Sequence, residues 1–224
     1  MPLYWTIFYT HLNYIILLIE FIYYFDILFI NRQHILLILY TNYSIIHNIS
    51  NKALNFFIKY YTMRELKATK INTADFAPFG TFCSMTKPEG YPLQGEIHKF
   101  YPDRISGNCI GSMGFSPIAV HKDERIIKAA EYHTTTWEGI VALDDDMIIH
   151  VAPASAGTPV PELTRAFIVP KGTMVKINAA IWHLCPLPLN NEVLHAMIVL
   201  PECTYANDCT VVDFEEKDWF RITI

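Results

Sequence analysis

Glu131-Tyr132-His133-Thr134-Thr135-Thr136-Trp137-Glu138, followed by Gly139-Ile140-Val141-Ala142-Leu143, is the stretch on which the reading of this chain turns. Side chains alternate along a strand, so Glu131 and His133 share one face. Glu138 lies an odd number of residues beyond His133, so a turn or bulge must intervene to bring it back to that face. Gly139–Leu143 then reads as a short apolar strand.

Working outward, the same pattern recurs. Met147–Val151, Ala166–Val169, Thr173–Ile177 and Leu194–Leu200 are short apolar or alternating runs. Turn-forming residues separate them: Asp144–Asp146, Pro153–Pro161 and Pro186–Asn191. Helical periodicity is scarce after Met63. One short helix is expected at Thr73–Phe76, with Thr73 as its cap and Asp75 in its first turn. Many short strands punctuated by turns indicate a mostly β sandwich or barrel. A second segment runs from Gly172 through Asn178 and Ala180 to Trp182 and His183, and adds a histidine just after a predicted strand.

Composition divides the chain of 224 residues at Met63. Residues 1–62 hold 13 Ile and 9 of the 13 Tyr, with no Gly, Val or Cys. The run Tyr14–Ile30 suggests a membrane anchor, but Glu20 and Asp26 interrupt it. Each acid costs roughly 2.5–3.5 kcal/mol at a helix centre, and a span wants ~20 apolar residues. A secretory signal fits less well, since no basic start or small-residue cleavage site flanks the run. The bias toward amino acids with AT-rich codons also matches translated upstream DNA ahead of a start at Met63, and an ordered accessory segment is a further alternative.

Residues 63–224 are expected to form one domain. They carry 14 Lys+Arg against 20 Asp+Glu, a balance of −6 that disfavours a nucleic-acid partner. All five cysteines lie here and none forms a CxxC pair, which argues against a disulfide framework and for a reducing cytoplasm.

The two segments resemble the two cupin motifs. Glu131 stands in place of the first histidine of the first motif, followed by His133 and Glu138. Gly172 and His183 keep the spacing of the second, with Asn178, Ala180 and Leu187 where its Pro, Gly and Asn would stand. More closely, the chain from Met63 resembles the ureidoglycolate lyase family of the cupins. The likeness rests on Ala74-Asp75-Phe76-Ala77-Pro78-Phe79-Gly80, Glu131-x-His133, and Pro161-Glu162-Leu163 with Arg165-Ala166-Phe167. It continues through Trp182-His183 with Pro186-Leu187 and a late Asn207-Asp208-Cys209. Two departures stand out. Ile177-Asn178-Ala179-Ala180 replaces polar or aromatic side chains before Trp-His, and family members often carry Gln near Glu138.

The resemblance implies a cupin-type jelly-roll β-barrel, a homodimer, and a carbon–nitrogen lyase that splits ureidoglycolate into glyoxylate and urea in allantoin and purine catabolism. Such a reaction needs an acid and a base working near neutral pH. His133, Glu131 and His183 are the candidate catalytic residues. Glu131, His133, Glu138 and His183 are candidate ligands of a divalent metal, with Zn, Ni, Mn and Fe(II) all compatible. Arg165 and Trp182 are candidate substrate contacts.

Each has a structural alternative. His133 and His183 could be interior histidines, Glu131 and Glu138 surface carboxylates, and Arg165 half of an ion pair. Trp137 and Trp182 could be barrel-wall packing. Asp144–Asp146 reads as a solvated turn in preference to a Ca²⁺ site. His98, His121, His150 and His195 have no partner visible in the sequence. The rival functions are another cupin reaction, such as an isomerisation of a small carboxylated or sugar-like ligand, and a cupin that binds a small molecule without catalysis.

Overall fold

Turn residues cut the chain into short strands, and apolar alternation then decides how these strands pair. The structure, a computed structural model, describes residues 63–109 and 111–224. The readings of residues 1–62 lie outside the described residues. Among the described residues no helix is long and apolar enough to cross a membrane.

Five antiparallel strands form one sheet, in the spatial order Gly80–Ser84, Thr173–Ile177, Glu138–Ala142, Val193–Pro201, Met113–His121. A second sheet runs Thr210–Asp213, Ala129–Tyr132, Trp182–His183, Met147–Ala152, Arg165–Val169, Thr69–Lys70. Leu187–Pro188 pairs with Met147–Ala152 beside this path. Its pairings are antiparallel except where Thr69–Lys70 runs parallel to Arg165–Val169. From Glu138 onward the principal strands pass back and forth between the two sheets, giving the double-sheet barrel of a cupin-type jelly roll.

The core lies between the sheets and follows the two-residue period of the strands. Ile140, Val175, Ile177, Leu194, Ala196 and Ile198 face Met147, Ile149, Val151, Phe167 and Val169. Phe76 and Phe79 close one side, with Phe76 edge-on to Phe167 at 5.4 Å. Each of these side chains larger than alanine contributes roughly 1.5–3 kcal/mol on burial.

The helix at Thr73–Phe76 forms as expected, but its cap is Asn72 and not Thr73. Asn72 lies one residue outside the helix in extended conformation, so its Oδ1 can accept the Asp75 N–H at 3.0 Å.

A small third sheet of Arg64–Lys67, Phe220–Thr223 and Ile126–Ile127 supplies a second core. Phe220, Ile222 and Ile127 pack with Ile148, Ala166 and Leu187. Met147–Ala152 is consequently buried along its whole length, which explains its unbroken apolar run. His150 lies within that strand with its Nε2 unpartnered and its ring edge-on to Phe220 at 6.3 Å. Burial, and then the charge of His183, hold its pKa down at about 3.

Asp144–Asp146 is a turn, yet its carboxylates are engaged and not merely solvated. Asp144 accepts the backbone N–H of His195, and Asp146 that of Lys171. Asp145, buried, accepts the backbone N–H groups of Asn190 and Asn191 and the side-chain amide of Asn190. Two loops and the strand Val193–Pro201 are thereby fastened to one turn.

Candidate metal centre

Ala129–Tyr132 puts Glu131 on the inner face, and His133 follows on the same side. Glu131 lies opposite His183 in the strand register, and His183 lies opposite Val151 of the core. Glu138 opens its own strand in the other sheet, opposite the core residue Ile177. The site therefore sits where the two sheets meet.

His133, Glu138 and His183 converge there. Nε2 of His133 lies 3.0 Å and Nε2 of His183 2.9 Å from the same atom, Oε2 of Glu138. All three residues are at most 3% exposed, which makes this polar cluster part of the interior. One donor atom from each falls within 4.8 Å of the others, a group that can hold a metal ion.

The outer nitrogens explain why the inner ones point at Glu138. Nδ1 of His133 donates to the Asp208 carbonyl at 2.7 Å, and Nδ1 of His183 donates to the Ile181 carbonyl at 2.8 Å. A carbonyl can only accept, so each ring keeps its proton at Nδ1 and presents Nε2 inward. That is the arrangement of metal-ligating histidines.

Charge follows the same geometry. Burial opposes ionisation of Glu138, but the charges and hydrogen bonds of His183 and His133 outweigh it and bring its pKa to about 2. Burial likewise opposes protonation of His183, and the Glu138 carboxylate overcomes it and raises the pKa.

The return of Glu138 to the face of His133 depends on Asp208. Its carboxylate accepts the backbone N–H of Thr134 at 2.7 Å and of Thr135 at 2.9 Å, together with the Thr135 hydroxyl at 2.6 Å. One residue so fastens the turn between His133 and Glu138 while its carbonyl orients His133. Burial works against the Asp208 charge, but the hydrogen bonds from Thr135 and Thr134 outweigh it and lower its pKa.

Glu131 stands beside the trio and does not share its hydrogen bonds. Its Oε2 accepts from the Cys209 thiol at 3.4 Å. Burial, then the hydrogen bond and charge of Glu131, push that thiol up to about 11. Burial and then the same carboxylate also raise the Cys185 thiol. The Tyr205 ring meets His133 edge-on at 6.1 Å. Burial, followed by the charges of Glu138 and Glu131, raises the pKa of its hydroxyl and keeps it protonated. Asp208 and Cys209 belong to the Asn207-Asp208-Cys209 segment noted in the sequence, but their link to the site is tertiary. Tyr205 carries no signal in the sequence.

The remaining candidates lie elsewhere. Arg165 pairs with Asp75 at 2.9 Å and covers the Phe167 ring. Trp182 follows the strand alternation away from His183, packs on Tyr132 at 4.4 Å and donates its indole N–H to Ser155 Oγ. Trp137 donates to the Asn108 carbonyl.

Two facing sheets with a buried His–Glu–His trio at their junction define a barrel of the cupin class. The model of the ureidoglycolate lyase family matches residues 63–221, and the chain belongs to that family. No curated protein matches the chain. Among solved structures it is similar to an oxalate decarboxylase, with 12% identity and a TM-score of 0.34 over 46% of this chain and 24% of that one. A mutant of the Bacillus subtilis oxalate decarboxylase gives 16% identity and a TM-score of 0.33 over the same shares. A structure of that enzyme concerned with its Mn(II) centres gives 15% and 0.34 over 56% of this chain and 30% of that one. The chain thus spans about a quarter of the length of the first solved structures it matches.

Proposed function

We propose that this chain is a carbon–nitrogen lyase that splits ureidoglycolate into glyoxylate and urea, with His133, Glu138 and His183 as ligands of a divalent metal. The observation that carries this reading is the convergence of two carbonyl-anchored imidazoles on one buried carboxylate oxygen, at 3.0 and 2.9 Å, inside a domain of that family.

The substrate is a hemiaminal bearing a carboxylate. Its hydroxyl proton must leave, its oxygen lone pair must form the C=O bond, and the C–N bonding pair must pass to a nitrogen that takes up a proton. Glu131 is the carboxylate outside the trio and next to it, so it receives the hydroxyl proton and returns it to the departing urea nitrogen. Tyr205, kept protonated, donates a hydrogen bond to the polar end of the substrate. The trio fits a divalent ion because its donors, two imidazoles and a carboxylate, suit Zn, Ni, Mn and Fe(II) alike. Bound there, such an ion would supply Lewis acidity toward the hydroxyl and carboxylate of the substrate. Family likeness supports a homodimer, and the five free cysteines support a cytoplasmic setting.

The test is urea release from ureidoglycolate by the full chain, after chelation and after return of each of the four metals. Release that requires metal and disappears in His133→Ala is expected. A folded protein that releases no urea with any of them overturns the reading, and substrate binding without release makes the protein a binding cupin.

A further inference from the structure

The five-stranded sheet has a second face, which the metal centre does not use. Val175 and Ile177 turn into the core, so Met174 and Lys176 point outward by strand alternation. Cys83 and Thr81 lie opposite them in the register. The segment 85–109 passes over this outer face. Its far end is fastened by Lys176 Nζ, which donates to the Ser106 carbonyl at 2.6 Å, and by the Trp137 indole N–H, which donates to the Asn108 carbonyl at 2.9 Å.

Under the near part of this segment lies a cavity of about 640 Å³, walled by Ser84, Thr86, Lys87, Lys99, Phe100 and Arg104 among others. The size is that of a site for a small organic molecule. Three of these residues are cations, and no carboxylate lines the cavity among the described residues. None of the three enters an ion pair among the described residues. Among the described residues Arg104 donates to main-chain carbonyls, those of Pro102 at 3.0 Å and Glu89 at 3.1 Å, and to no carboxylate.

A glycine in a conformation that L side chains rarely adopt stands beside Arg104. Gly90 has φ +101°, and a Cβ on it would stand 2.2 Å from Nη1 of Arg104. In a domain with six more acidic than basic residues, three cations that form no ion pair among the described residues line one concavity and favour an anion there. On the apolar side, Phe100 is 57% exposed and Met85 47%, and Met174 lines the floor. An exposed aromatic ring beside cations suits a flat ligand with a charged end.

We propose that this outer cavity binds a small ligand carrying an oxyanion group on a flat ring, with the oxyanion on Lys87, Lys99 and Arg104 and the ring on Phe100. It is separate from the metal centre, because the sheet lies between them. The oxyanion could be a phosphate or a carboxylate, and two probes distinguish these sources.

Isothermal titration calorimetry on the full chain with adenosine monophosphate, orotate and adenosine tests the proposal. At least one charged probe is expected to bind with a Kd below about 1 mM, and adenosine about tenfold or more weakly. The surface variant Lys99→Gln/Arg104→Gln should weaken that binding by about tenfold, and Phe100→Ala by several-fold, with Tm unchanged. Binding should persist in Glu138→Ala, which separates this site from the lyase reading. Absence of binding by both charged probes overturns the proposal, as does binding that survives the double variant or is lost in Glu138→Ala.

Discussion

The two ends of the strand Glu138–Ala142 each bury an acid, and they satisfy it in opposite ways. At the first residue, Glu138 receives two imidazole nitrogens. Just past the last, Asp145 receives two backbone N–H groups and one amide from Asn190 and Asn191. Backbone amides neither titrate nor leave, so the carboxylate of Asp145 is spent on holding a loop. Imidazoles can exchange their protons for a metal ion, so the carboxylate of Glu138 is available for chemistry. A buried acid is therefore read from its partners and not from its burial.

The largest effect should come from breaking the first end. Glu138→Ala is expected to lower kcat/KM for urea release by at least about a hundredfold and to weaken metal binding by a similar factor, read by competition with a chromophoric chelator. Retention of both would show that Glu138 is no more than a structural acid like Asp145.

Breaking the second end should cost stability and leave chemistry alone. Asp145→Ala removes the acceptor of three part-buried hydrogen bonds and is expected to destabilise the fold by about 1–3 kcal/mol in denaturant unfolding. Metal affinity of the remaining folded protein should stay unchanged. A loss of affinity comparable with that of Glu138→Ala would erase the contrast.

The pH dependence sharpens it through a third buried titratable group. The pKa of His150 in the folded state is about 3, below its ordinary 6.5. As pH falls below about 6.5 the unfolded chain takes up the proton first, so folding stability is lost with acidification down to about pH 3. Between pH 7.5 and pH 5 this contributes about 2 kcal/mol of lost stability. His150→Leu should narrow the measured difference by that amount. An unchanged difference would mean that His150 finds a partner for its charged form.

The smallest effect is expected for the conservative change at Asp208, which acts on the site only through others. Asp208→Asn keeps an acceptor for the turn at Thr134 and Thr135, and its main-chain carbonyl still orients His133. Metal affinity should fall by no more than about tenfold, whereas Asp208→Ala should cost about ten- to a hundredfold. Equal affinities in the two variants would remove Asp208 from its positioning role.

Much of this could be read from the residues in order. Alternation placed Glu131 and His133 on one face, and the odd spacing to Glu138 demanded a turn, which the structure supplies at 134–137. The segment before Trp182-His183 likewise delivered its histidine to the neighbouring strand. The spacing could not rank Glu138 above Glu131, because the rank depends on which carboxylate the other sheet brings between the two rings. The cap at Asn72 in place of Thr73 was a local choice between two plausible caps. The roles of Asp145 and Asp208 were hidden because their partners lie dozens of residues away.

The sequence by itself determined the strand pattern, the mostly β class, the family and the residue types available for chemistry. These depend on local periodicity and turn chemistry, which neighbouring residues carry among themselves. Only the tertiary structure decided which acid stands between the histidines, which acids serve as fastenings, and where three cations line one outer cavity. Those outcomes depend on distances between segments remote in the chain, and such distances exist only after the two sheets have closed on each other.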